Sequence, residues 1–332
     1  MWQSFAIFGF SFIVTLFTTP FMIWFSKKVN ALDHPMAKLK PQKYAIPNLG
    51  GMAIFLGISF TLIFSLLINI IDLEFIISIL SCSILILIIG IVDDKYNIKG
   101  LKLYTQIVIG IIMALLGIHF NFISSPLLKV ITTVCVVVIT CNSLNLIDGI
   151  DGLASGVVLI ASTFFFILFA TTGNIGGIIL SLALIGSSAA FLIFNFSPAS
   201  IYLGNNGSLF LGLIVAIMII IYPSSNNFNY IIAPIVIFSI PITDTMLSFI
   251  RRIINGKSFL HGDRSHFYDH LVRNGIPLTK VILMIYISCS VLGGIAILIS
   301  TMPLLFSLIV FFFITLGFTI TIMKMKFYQI ID

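Results

Sequence analysis

Apolar runs close to 20 residues long follow one another along almost all of this 332-residue chain. A helix rises about 1.5 Å per residue, so each run is long enough to cross the roughly 30 Å hydrocarbon layer of a bilayer. About eleven such spans fit, near residues 4–25, 48–70, 75–92, 103–119, 127–144, 153–172, 176–195, 208–222, 229–250, 279–300 and 302–323. The chain is 59% hydrophobic and 8% charged, with a mean hydropathy of +1.20, which excludes a soluble domain of this length. An all-α, polytopic membrane helical bundle is expected, a single integral domain over 1–332. Lys27 and Lys28 follow the first apolar stretch and do not precede it, so residues 1–25 read as a first span and not a cleaved signal.

If the N-terminus lies outside, every Lys and Arg except Lys129 falls in an inner loop or on the inner tail, which fixes the orientation by the positive-inside rule. The acids are more telling, because that rule does not govern them. Asp33, Asp93, Asp94, Asp148, Asp151, Asp244, Asp263 and Asp269 all fall on the same inner side. Acids gathered among bases on one face suggest a site that holds a divalent cation and phosphates. Cys82, Cys135, Cys141 and Cys289 lie in or beside apolar runs without a Cys-x-x-Cys pair, and read as buried thiols.

The stretch Asn142-Ser-Leu-Asn-Leu-Ile-Asp-Gly-Ile-Asp-Gly-Leu-Ala-Ser-Gly156 is polar between two apolar spans. A carboxylate at mid-membrane costs roughly 2.5–3.5 kcal/mol on insertion scales, so Asp148 and Asp151 are expected in a loop that opens a helix at the membrane surface. The adjacent acids Asp93 and Asp94, expected just after the third span, repel one another unless a cation lies between them, which suits a metal or a base. Gly50 and Gly51 at the start of the second span leave two readings open, free N–H groups for an anion or close helix packing. Gly204, Asn205, Asn206 and Gly207 form a turn opening the eighth span, a natural anion cradle. Asp244 lies about 10 Å along a helix from Arg251, which makes Arg251 or Arg252 its expected partner. His261, His266 and His270 fall in the longest inner loop, where Arg264 makes phosphate a better ligand than zinc.

Together these loops resemble the polyprenyl-phosphate N-acetylhexosamine-1-phosphate transferase family, which starts O-antigen, common-antigen and teichoic-acid chains and includes phospho-N-acetylmuramoyl-pentapeptide transferase. The marks are Leu32-Asp-His-Pro with Ile46-Pro-Asn-Leu-Gly-Gly, Asp93-Asp94 with Gln106, the Asn142–Gly156 stretch, Ser197-Pro-Ala-Ser-Ile-Tyr-Leu-Gly, Pro241-Ile-Thr-Asp-Thr and Asp263-Arg-Ser-His. The resemblance implies a bundle of ten or eleven helices in the bacterial plasma membrane with a cytoplasmic, magnesium-dependent site. Such an enzyme joins the sugar 1-phosphate of a UDP-sugar to a lipid phosphate and releases UMP, with manganese as an alternative metal.

Carried over by position, it makes Asp93, Asp94, Asp148 and Asp151 the catalytic acids. Asn142, Asn145, Lys43, Arg264, His266 and His270 would bind substrate, and Asn145, Asp148 and Asn205 the metal. The implied partners are the membrane, a polyprenyl phosphate lipid and a UDP-N-acetylhexosamine, with a homodimer as a further expectation and no nucleic acid.

Two departures stand out. Where the family has Gly-Asp-x-Gly-Ser, this chain has Gly204-Asn-Asn-Gly-Ser208, which removes a charge from a metal ligand and predicts weaker magnesium binding. The form Asp263-Arg-Ser-His-Phe-Tyr-Asp-His270 is one residue longer than usual before its last histidine and is more similar to the branch that uses 6-deoxy-N-acetylhexosamines. A catalytically impaired relative that still binds lipid phosphate or nucleotide is the alternative that Asn205 brings. A transporter is disfavoured because the acids sit at helix ends and no internal repeat is found. A CDP-alcohol phosphotransferase is disfavoured because residues 148–156 do not continue its motif.

Overall fold

The structure, a computed structural model, describes residues 2–34, 44–96, 98, 100–222, 229–256 and 266–324. Lys43, His261, Asp263 and Arg264 lie outside the described residues.

Every apolar run is helical. They form α1 (Trp2–Lys28), α2 (Gly50–Leu67), α3 (Leu73–Tyr96), α4 (Leu101–Leu115), α5 (Pro126–Ile147), α6 (Leu153–Thr172), α7 (Ile175–Asn195), α8 (Gly204–Ile221), α9 (Asn229–Ile237), α10 (Ser239–Ile254), α12 (Leu278–Thr301) and α13 (Leu304–Lys324). A short α11 (Phe267–Arg273) precedes α12, and a two-stranded ladder pairs β1 (Leu32–Asp33) with β2 (Ile46–Pro47) antiparallel. Among the described residues nine helices are long and apolar enough to cross a membrane, and α9 with α10 makes a tenth if the bent pair counts as one. The chain is a multi-pass membrane protein.

The expected eleven spans are corrected at two places. The fourth, α4, has 15 residues and falls short of a full crossing. The ninth breaks by 76° between α9 and α10. Pro241 explains the break: it has no N–H for the carbonyl of Ile237, and its ring crowds that carbonyl. Beyond the bend α10 turns its polar side inward. Asp244, Thr245, Ser248, Arg251 and Arg252 are buried while Met246, Ile250, Ile253 and Ile254 are exposed.

Local chemistry sets several helix starts. Pro126 opens α5 behind Ser125, whose hydroxyl accepts from the Leu128 N–H, and Asn174 caps α7 by accepting from the Gly177 N–H at 2.9 Å. Lys27 and Lys28 close α1, favourable at the negative end of its dipole.

At the centre stands α8, buried at every residue from Asn206 to Ile220 and packed among α2, α3 and α5. Its first turn is approached so closely that side chains are excluded. A Cβ on Gly51 would collide with Gly207, and one on Gly90 with the backbone of Asn206. This tight crossing brings the ends of α3, α5 and α8 together.

Candidate active site

The last turn of α3, the end of α5 and the first turn of α8 meet at one end of the bundle. Asp93 and Asp94 are part of α3, not of the loop after it, and α8 begins at Gly204, four residues before its expected start. Asn142 and Asn145 likewise belong to α5, which runs on to Ile147, so the expected loop is only its second half, beginning at Asp148. The amide side chains make this possible by finding partners inside the bundle. Asn142 Nδ2 donates to Gln106 Oε1 and to the Val138 carbonyl, both at 2.7 Å. Asn145 Nδ2 donates to Asn205 Oδ1 at 2.7 Å and to Ser208 Oγ at 3.0 Å.

The two adjacent acids have different surroundings. Asp94 accepts from the backbone N–H groups of Asn205 (3.1 Å) and Asn206 (3.4 Å), and from Asn206 Nδ2 (3.1 Å). It lies at the positive end of the α8 dipole and satisfies donors that the helix cannot pair internally. The anion expected in the Gly204–Gly207 cradle is therefore this carboxylate. The N–H groups of Gly50 and Gly51 are also occupied, by the carbonyls of Tyr202 and Leu203 at 3.0 Å each, so the packing reading of that pair is the correct one. Asp93 is buried. Its Oδ2 lies 3.0 Å from Lys102 Nζ and accepts from Asn205 Nδ2 at 3.0 Å, while its Oδ1 is buried without a hydrogen-bond partner among the described residues.

Asp148 caps the C-terminus of α5 and its carboxylate has no hydrogen-bond partner among the described residues. Burial, then the negative charges of Asp94 and Asp151, push its carboxyl well above the usual range. Asp151 accepts from the Ala199 N–H at 3.0 Å and so ties the α5–α6 turn to the segment before α8. Burial with Asp151 and Asp33 beside it pushes the Tyr202 phenol up to about 12, and the Tyr202 N–H donates to the Pro47 carbonyl at 2.7 Å, which ties the β1–β2 ladder to the same end of the bundle.

His266 comes to the site through α10. Its Nδ1–H donates to Asp244 Oδ2 at 2.7 Å, and the N–H of Phe267 donates to Asp244 Oδ1 at 3.1 Å. Both oxygens of Asp244 are thus engaged at the start of α11, and not by Arg251 or Arg252, either of which was the expected partner; Arg251 donates through Nη2 to Ser248 Oγ at 2.9 Å. Tyr268 stacks on the His266 ring with centroids 5.3 Å apart and donates its hydroxyl to the Leu146 carbonyl at 3.1 Å, docking α11 against the end of α5. His270 lies one turn further along α11, its N–H bonded to the His266 carbonyl at 3.2 Å, and is half-buried.

Residues 76–223, from α3 to just past α8, match the glycosyl transferase family 4 profile. Over 319 residues the chain is 32% identical to a Bacillus subtilis protein named probable undecaprenyl-phosphate N-acetylglucosaminyl 1-phosphate transferase, covering 91% of this chain and 87% of that one. The chain belongs to glycosyl transferase family 4. A decaprenyl-phosphate N-acetylglucosaminephosphotransferase of Mycobacterium leprae is 25% identical over 83% of this chain and 78% of its own. A phospho-N-acetylmuramoyl-pentapeptide-transferase of Clostridium botulinum is 32% identical over 57% of this chain and 63% of its own. None of these three names carries the 6-deoxy sugar suggested by the spacing of His266 and His270.

Within this transferase family the structure adds roles that the sequence did not assign. Lys102 looked like a topology charge, yet it reaches back over a left-handed turn at Gly100 (φ 80°) to Asp93. Asn206 Nδ2 donates both to Asp94 Oδ2 at 3.1 Å and to the Asn48 carbonyl at 2.9 Å, and Tyr268 joins α11 to α5. The glycine before Lys102 and the Gly204–Gly207 turn around Asn206 were the available clues; nothing local marks Tyr268.

Proposed function

We propose that the protein transfers N-acetylglucosamine 1-phosphate from its UDP-sugar to undecaprenyl phosphate at the cytoplasmic face of the plasma membrane, as the first membrane step of a cell-envelope polysaccharide. A lipid phosphate oxygen attacks the sugar-bearing phosphorus, a new P–O–P bond forms, and the bond to the departing UMP oxygen breaks. The lipid phosphate is itself the nucleophile, so the protein need only align and neutralise two phosphates. The observation that carries this reading is the junction of α3, α5 and α8, where Asp148 stands without a hydrogen-bond partner among the described residues in the field of Asp94 and Asp151, and Asn205 links Asp93 to Asn145.

Among the described residues no three of His, Cys, Asp and Glu stand close enough together to hold a metal ion, so a magnesium or manganese ion would be held by one or two oxygens of the protein and by the phosphates of the substrates. Asp148 is repelled by Asp94 and Asp151, Asp93 Oδ1 is buried without a partner, and hard oxygen ligands suit such cations. Bound there, the ion would neutralise charge on the diphosphate. Asp93 with Lys102 serves the lipid phosphate, whereas Asp94 is spent on holding α8. Asn142 and Asp151 brace the two sides of the site. His266, with His270, Arg264 and Lys43, serves the phosphates of the sugar nucleotide.

A second reading, a relative that binds but turns over slowly or not at all, is favoured by Asn205, whose carboxamide oxygen is already taken by Asn145. Detergent-purified protein given UDP-N-acetylglucosamine, undecaprenyl phosphate and magnesium should release UMP and form a lipid-linked sugar diphosphate. Binding of UDP-N-acetylglucosamine without UMP release would favour the second reading. Neither binding nor release, in folded protein, would overturn both.

A further inference from the structure

Beyond the catalytic acids, one buried polar cluster stands out. Asp244, Ser248 and Arg251 project from successive turns of α10 and surround the His266 ring. Asp269 of α11 faces the same residue, its Oδ2 accepting from the His266 N–H at 3.1 Å, and Tyr268 covers one face of the ring. A buried carboxylate costs several kcal/mol unless it is paired and fully hydrogen-bonded, and Asp244 achieves this by gripping one ring nitrogen and one backbone N–H. The consequence falls on the histidine. With Nδ1–H committed to Asp244, Nε2 is the polar atom left over, and it has no partner among the described residues.

We propose that Asp244 is a positioning residue for the transfer reaction: by holding Nδ1–H of His266 it presents Nε2 as a fixed donor to the diphosphate of the sugar nucleotide. The inference rests on the reading of His266 as a phosphate-binding residue. A carboxylate behind an imidazole sets which nitrogen carries the proton and strengthens the ring as a cation, the arrangement that suits a phosphate oxygen. The bond from Phe267 N–H adds a second function, since the same carboxylate fixes where α11 starts and thus where the ring sits. The charged groups around the ring act in opposite senses: Asp244 and Asp269 favour the imidazolium and Arg251 opposes it.

The test uses full-length protein with Asp244→Asn, His266→Gln and the double variant. Asp244→Asn keeps the size of the side chain and removes its charge. Its KM for UDP-N-acetylglucosamine should rise about ten-fold, the scale of one charge-assisted hydrogen bond, with a smaller change in kcat and none in KM for undecaprenyl phosphate. In the His266→Gln background the same change should add nothing; an equal loss in both backgrounds would overturn the proposal.

Nitrogen-15 spectra of the histidine rings give a readout that needs no substrate. The wild-type spectrum should contain a downfield Nδ1–H resonance that His266→Gln abolishes and Asp244→Asn moves upfield. A neutral His266 ring protonated only on Nε2 in the wild type would overturn the inference, whether or not the variants fold. Failure of the wild type to bind UDP-N-acetylglucosamine would instead remove the proposed function while leaving this spectral result standing.

Discussion

Nδ2 of Asn205 donates to Oδ2 of Asp93 across 3.0 Å and so joins the first turn of α8 to the last turn of α3. The other end of the same carboxamide accepts from Asn145. An aspartate at 205 would keep the second contact and turn the first into two facing carboxylate oxygens. Asn205→Asp should therefore destabilise the metal-free protein by about 1–3 kcal/mol, the cost of leaving a buried polar group badly paired. Magnesium should return most of that loss, because the variant supplies the charge that Asn205 lacks. Thermal unfolding in detergent, with EDTA or with magnesium, measures this. A variant as stable as wild type in EDTA and indifferent to magnesium would show that position 205 does not face the cation.

Lys102 and Asp93 form an ion pair at this junction, with the lysine side chain 31% exposed and the carboxylate nearly closed off. Lys102→Met strands a buried charge. Water reaches the lysine, so the expected cost is about 1–3 kcal/mol, below that of breaking a fully enclosed pair. Adding Asp93→Asn should recover part of it, and Lys102→Arg should cost little. Thermal unfolding of Lys102→Met, Asp93→Asn, their combination and Lys102→Arg decides; additive losses for Lys102→Met and Asp93→Asn would mean that the two side chains act independently.

Much of the fold was legible because a bilayer imposes a length on every apolar run, and helices formed at all of the expected places. The polar half of α5 was not. Asn142 and Asn145 look like loop residues until Gln106 and Asn205 are brought beside them, 36 and 60 residues away in sequence. The role of Asp94 was hidden for the same reason, since the first N–H that it accepts from lies 111 residues later. Candidate acids could be found from sequence because carboxylates near a membrane are rare. Which of them bind the protein's own backbone and which remain open could not, because that depends on helix crossings set by Gly51, Gly90 and Gly207.

Gly149 and Tyr268 make a contact that links the α5–α6 turn to α11. A Cβ at 149 would collide with the tyrosine hydroxyl that donates to Leu146. Gly149→Ala should cost about 1–3 kcal/mol by overpacking, and Tyr268→Phe about 0.5–1.5 kcal/mol for the lost hydrogen bond. Combined, the two should cost less than their sum, because removal of the hydroxyl opens the space that the new methyl needs. A strictly additive pair in thermal unfolding would refute the contact.

The pH dependence of stability should carry the signature of His266. Burial lowers the affinity of its ring for a proton, but the hydrogen bond and charge of Asp244, with Asp269 behind them, outweigh this and raise its pKa above the ordinary 6.5. A group whose folded pKa is raised stabilises the fold fully below its unfolded pKa and loses that contribution as pH rises through the folded value. The stability gap between wild type and His266→Gln should accordingly be widest near and just below pH 6.5 and shrink on the alkaline side. At the acid end a second change enters. Burial raises the Asp269 carboxyl too, and once it is protonated it no longer attracts the imidazolium, so the gap should narrow again there. Unfolding temperatures of both proteins across this range test the sign directly, and a gap that widens steadily with rising pH would show that the ring is neutral in the folded protein.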